Sequence, residues 1–115
     1  MSSQKKADLI FLRNFSKGDN NIVRKYITIF LRSNKSLIAN MTKEIKLLNW
    51  PEIENSAHSL KTQFNFIGCN EGEELSRKIK FVSENGKDQT EVQKIFKKIQ
   101  ILTETLYSEL ENELI

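Results

Sequence analysis

PEIENSAHSLKTQFNFIG, residues 51–68, carries apolar side chains at Ile53, Ala57, Leu60, Phe64 and Ile67, at steps of four, three, four and three residues. Those steps place all five on one stripe of an α-helix, because a turn takes about 3.6 residues, and such a stripe is a packing face rather than a cofactor box. Pro51 suits the first turn of a helix, and Gly68 suits its end, where a left-handed backbone closes the last turn. The Trp50-Pro51 step stops whatever precedes it, since the residue before proline avoids helical angles.

Outward from this helix the same period recurs. On the C-terminal side, Asn70 is placed to cap a helix with the stripe Leu75, Ile79 and Val82, ended by Asn85-Gly86. Asp88 with Glu91 three residues on is a capping-box pattern ahead of Val92, Ile95, Phe96, Ile99, Leu102, Leu106 and Leu110. On the N-terminal side, Leu37, Ile38, Met41, Ile45 and Leu48 predict a helix ending at Asn49. Ile22, Val23, Tyr26, Ile27 and Phe30 predict another behind an Asp19 or Asn20 cap, with Ser33-Asn34 as the break between the two. Leu9, Ile10, Leu12 and Phe15 give a short leading helix closed at Lys17-Gly18, and residues 1–6 read as a flexible N-terminus.

A chain of 115 residues with one Pro, four Gly, 38% hydrophobic and 29% charged residues suits long helices and leaves little turn chemistry for strands. Short connections between long amphipathic helices imply antiparallel neighbours. The expected fold is therefore all-α: an antiparallel up-down-up-down four-helix bundle with one or two short extra helices at the N-terminal end, forming a single domain over 7–115. With the apolar stripes consumed inside one bundle, a monomer is expected.

Cys69 is the only cysteine, which excludes an internal disulfide and a cysteine-rich metal site and fits a reducing compartment. The apolar patch before Arg13 is too short for a signal-peptide core or a membrane span, so no membrane association and a cytoplasmic location are expected. Met1 and the polar start favour a free-standing protein over an excised fragment. The net charge is +3, but Lys and Arg alternate with Glu and Asp along most of the chain, so a solvated surface explains the charge better than a nucleic-acid partner. A basic middle, with Arg24, Lys25, Arg32, Lys35, Arg77, Lys78 and Lys80, is suited to steering an acidic partner.

His58, the only histidine, points away from the Ile53–Ile67 stripe at 100° per residue and is expected to face solvent. Glu54, Lys61, Thr62 and Asn65 stand at three-, four- and seven-residue offsets, so they share or flank its face. One surface histidine alone is usually without a role, and Lys61 alone is usually a solubilising charge. Phe66 lies off the core stripe, on the side of Ser59 and Thr62, and either packs under the leading helix or is an exposed docking aromatic.

The segment AHSLKTQFNFIG, residues 57–68, resembles the signature of histidine phosphotransfer domains of multistep two-component phosphorelays. In that signature the histidine is followed by an apolar residue two positions on, lysine three on and glycine ten on, here His58, Leu60, Lys61 and Gly68. The run from Phe11 to Lys61 resembles the family's approach to its histidine: a short leading helix, a Gly-Asp turn, and long helices before the histidine helix. The chain departs from the family at Thr62, where glycine is common, which places a β-branch beside the nucleophile.

The resemblance implies a phosphoprotein that takes a phosphoryl group from a receiver-domain aspartate onto His58 and passes it to another receiver domain. The partners implied are the receiver domains of a hybrid sensor histidine kinase and of a response regulator. Lys61 would stabilise the phosphate, and Glu54, Ser59, Thr62, Asn65 and Phe66 would lie in the docking surface. No phosphate-binding loop of the Gly-x4-Gly-Lys-Ser/Thr kind is present. The chain is accordingly expected to be no kinase by itself and to need no cofactor, with Mg2+ supplied only by the partner. The alternative is a non-catalytic helical-bundle interaction module in which His58 never carries phosphate.

Overall fold

The computed structural model describes residues 5–115, which contain five helices and no strand: α1 (Ile10–Phe15), α2 (Asn20–Lys46), α3 (Trp50–Phe66), α4 (Asn70–Glu84) and α5 (Gln89–Asn112). Polar caps set several boundaries. The Asp19 carboxylate accepts from the N–H groups of Asn21 and Ile22 at the start of α2, and Asp88 accepts from Glu91 N–H at 3.1 Å at the start of α5. Pro51 sits in the first turn of α3, as its fixed φ and missing N–H favour. The start of α4 differs from expectation: Cys69 is the capping position, without a side-chain hydrogen bond, and Asn70 is already helical.

The expected break at Ser33-Asn34 is absent, and the two helices foreseen there are one helix of 27 residues. The reason is tertiary. Asn34 is fully buried; its Nδ2 donates to Gln63 Oε1 at 2.8 Å, and its Oδ1 accepts from the Tyr107 hydroxyl. A residue whose side chain would otherwise compete with the helix backbone is occupied by α3 and α5 instead. Burial raises the Tyr107 phenol to about 12, so it stays protonated as the donor. Asn34→Ala leaves Gln63 and Tyr107 without this partner, and the urea midpoint is expected to fall by the equivalent of about 1–3 kcal/mol.

α2 packs against α3 and α5, and α4 packs against the same two, so the four long helices form a closed ring around one core. Its interior holds Ile27, Met41, Ile53, Leu60, Phe64, Ile79, Ile99 and Leu106, all fully buried. The outer members of the expected stripes are less enclosed: Leu37, Ile38 and Val82 are half-buried, and Ile10, Phe15, Ile22 and Leu48 are exposed. A six-residue α1 buries only Leu12.

Of the expected flexible N-terminus, residues 1–4 lie outside the described residues. The segment that follows them is bonded across one end of the bundle. The main-chain N–H of Lys6 donates to both Glu109 carboxylate oxygens at 2.8 and 2.7 Å, that of Ala7 to Glu109 Oε1 at 3.2 Å, and that of Asp8 to the carbonyls of Ile67 and Gly68. Gly68 makes this crossing possible. Its φ is +69°, and a Cβ there would stand 2.1 Å from the Asp8 carbonyl oxygen.

Candidate functional site

Capping and packing on α3 decide where His58 stands. Ala57 and Leu60 on either side of it are fully buried, while His58, Ser59 and Thr62 are exposed. The core stripe therefore anchors the helix and leaves the imidazole on its outer face. No hydrogen bond or ion pair of the His58 ring or of the Lys61 ammonium is present among the described residues. Lys61 follows at i+3, which on a helix is a neighbouring-turn position, and is half-buried.

The flanking residues divide into two sides. Toward α4, Glu54 lies 3.9 Å from Lys80, and Asn65 Nδ2 donates to Glu73 Oε2 at 3.3 Å, so both tie α3 to α4. The Glu54 carboxyl is raised from its ordinary value, first by the neighbouring Glu84 carboxyl, while Glu84 is lowered, first by the hydrogen bond it accepts from Lys80. Toward α2, Ser59 and Gln63 line a shallow depression of about 440 Å³ with Arg32, Ser33, Ser36 and Asn40. Thr62 turns its hydroxyl onto its own helix, donating to the His58 carbonyl at 3.2 Å.

Phe66 is half-buried under the leading helix, the first of the two arrangements foreseen for it. Its ring meets Phe11, Phe15 and Tyr26 edge-on, with centroids 5.9, 6.1 and 5.6 Å away. The exposed aromatics are the covering ones: Phe11 and Phe15 are 56% and 55% exposed. The apolar stripe of Leu9, Ile10, Leu12 and Phe15 omits Phe11. The missed signal was length, since a helix this short carries more bulky apolar side chains than it can bury. Eight residues separate Phe66 from His58, about 12 Å along α3.

Cys69 is fully buried, and burial pushes its thiol up to about 11, so it offers no thiolate nucleophile. Among the described residues no three His, Cys, Asp or Glu side chains gather as a metal-binding group, and no helix is long and apolar enough to cross a membrane. Comparisons with protein-family models, with curated proteins and with solved structures found no match to this chain.

Proposed function

We propose that this chain is a histidine phosphotransfer protein, which receives a phosphoryl group from a receiver-domain aspartate on His58 and returns it to the aspartate of a second receiver. The observation that carries the reading is an exposed imidazole with no hydrogen-bond or ion-pair partner among the described residues, on a long packed helix, with an ammonium group one turn along. The chemistry follows from those parts. A neutral ring nitrogen attacks phosphorus, the bond to the aspartyl oxygen breaks with its electron pair, and the carboxylate departs; the reverse step loads the second receiver. Lys61 offsets charge on the equatorial oxygens and on the phosphohistidine. The receiver partner would bring Mg2+ and the rest of the phosphoryl-transfer machinery.

The docking surface in this reading centres on His58 and Thr62, extends over Ser59 toward α2, and reaches the Phe11–Phe15 patch beside Phe66. Glu54 and Asn65 border it on the α4 side. An antiparallel up-down-up-down arrangement of α2 to α5 belongs to the same proposal. In its support, Glu54 meets Lys80 while Asn65 meets Glu73, so residue numbers rise along α3 as they fall along α4. A cytoplasmic monomer that works between a hybrid sensor kinase and a response regulator completes the reading.

The test is to mix the chain with phosphorylated receiver domains and map any acid-labile phosphate by mass spectrometry. Label on the His58 peptide is expected. No label with any receiver, together with stable receiver binding, would favour the non-catalytic module, for which the Thr62 methyl beside the ring and the apolar α1 patch are the specific support. Lys61→Ala should leave the unfolding transition in place and slow transfer roughly three- to tenfold, read by rapid-quench kinetics; an unchanged rate removes Lys61 from the mechanism.

A further inference from the structure

A second cation lines the depression that Lys61 borders. The contacts of Glu54 with Lys80 and of Asn65 with Glu73 bracket His58 on α3, so the residues level with it on α4 fall between Glu73 and Lys80. Arg77 lies in that interval. Its neighbours Ser76 and Ile79 are fully buried, whereas its own side chain is 52% exposed. Lys61, Arg77, Lys78 and Lys80 line one open depression of about 740 Å³, with Phe81 among its walls. Packed helices lie about 8–10 Å apart, a span that an arginine side chain covers.

Among the described residues Arg77 is bonded to its own helix, through Nη2 to Glu73 Oε2 at 3.1 Å and Nη1 to Glu74 Oε1 at 2.8 Å. The pair with Glu74 is exposed on both sides and is therefore weak and readily exchanged, whereas Glu73 is only 16% exposed and holds the guanidinium more firmly. A phosphoryl group carries more charge than either carboxylate and presents oxygens at the spacing a guanidinium binds in pairs. We propose that Arg77 is a phosphoryl-binding residue, held by Glu73 and Glu74 in the resting protein and drawn to the phosphate once His58 is loaded. The inference rests on the phosphohistidine reading of His58.

Phosphoramidate tests it without any receiver. A ring nitrogen attacks phosphorus, the P–N bond of the reagent breaks, and ammonia leaves with the proton that the ring gives up. The 31P resonance of the product and its titration then report the surroundings of the phosphate, which a merely structural residue would not move. Arg77→Gln should shift that resonance, raise the pH at which the phosphate titrates, and move the equilibrium with a phosphorylated receiver about fivefold away from phosphohistidine. Arg77→Lys should recover part of each effect, and Glu73→Gln with Glu74→Gln should move the equilibrium the other way. A labelled His58 whose spectrum and equilibrium ignore Arg77→Gln overturns the Arg77 assignment alone. The same loss on Lys80→Gln instead transfers the role to Lys80, and failure of both phosphoramidate and receivers to label His58 removes both proposals.

Discussion

His58→Gln is expected to reduce phosphoryl acceptance from a phosphorylated receiver to background, while its thermal unfolding transition stays within about 2–4 °C of the parent. Glutamine keeps the size and polarity of the side chain, but its amide nitrogen has no available lone pair for an attack on phosphorus. The fold should be indifferent, because the ring is exposed and bonded to nothing among the described residues, with the anchoring contacts made by Ala57 and Leu60. Radiolabel transfer and calorimetry on the same preparation separate the two effects. Retained label would place the phosphate elsewhere on the chain, and a collapsed transition would mean that the ring contributes to packing after all.

The separation of site from scaffold explains what is legible in the sequence alone. The stripe from Ile53 to Ile67 is legible because burial follows a 3.6-residue period, and the outward placement of His58 follows from the same count. Asp19, Pro51 and Asp88 mark helix starts by chemistry that acts within a few residues. Asn34 could not be read in this way. Its local preference is to interrupt a helix, and the partners that reverse that preference, Gln63 and Tyr107, are 29 and 73 positions away. Distance in sequence also hid the two sides of the site. Nothing local says that Lys80 meets Glu54, that Glu73 meets Asn65, or that Phe66 is covered by Phe11 and Phe15.

The glycine of the motif illustrates the difference between a pattern and its cause. Gly68 is ten residues from His58, about 15 Å along the helix direction, too far to touch the ring. Its positive φ ends α3, and its bare Cα lets the chain at Asp8 cross at hydrogen-bond distance. That crossing, with the Glu109 carboxylate holding Lys6 and Ala7, fixes the approach to α1 and so the position of the Phe11–Phe15 patch over Phe66. The spacing that resembles a phosphotransfer signature is thus partly a record of how the leading helix is attached.

The largest stability effect is expected where α3 meets α4. Phe64 is fully buried, and a Cβ built on Gly72 would stand 2.5 Å from Phe64 Cγ, well inside van der Waals contact. Phe64→Ala opens a cavity facing a residue with no side chain to fill it, and should cost about 3–5 kcal/mol in urea denaturation, a large share of the roughly 5–15 kcal/mol typical of a domain. Gly72→Ala tests the same contact from the opposite side. In the middle of an exposed helix that exchange gains about 1 kcal/mol, but here the added methyl group must push the ring or the helix aside, and a net loss of about 1–3 kcal/mol is expected. Combining Gly72→Ala with Phe64→Leu should cost less than the sum of the two single changes, because the smaller side chain makes room for the methyl group. Strict additivity, or a stabilised Gly72→Ala, would mean that the two helices are not in close contact at this level. On the proposed role of Arg77, which rides on α4, displacing that helix by Gly72→Ala should also weaken phosphate retention on His58, whereas a second change that restores the packing should restore retention with it.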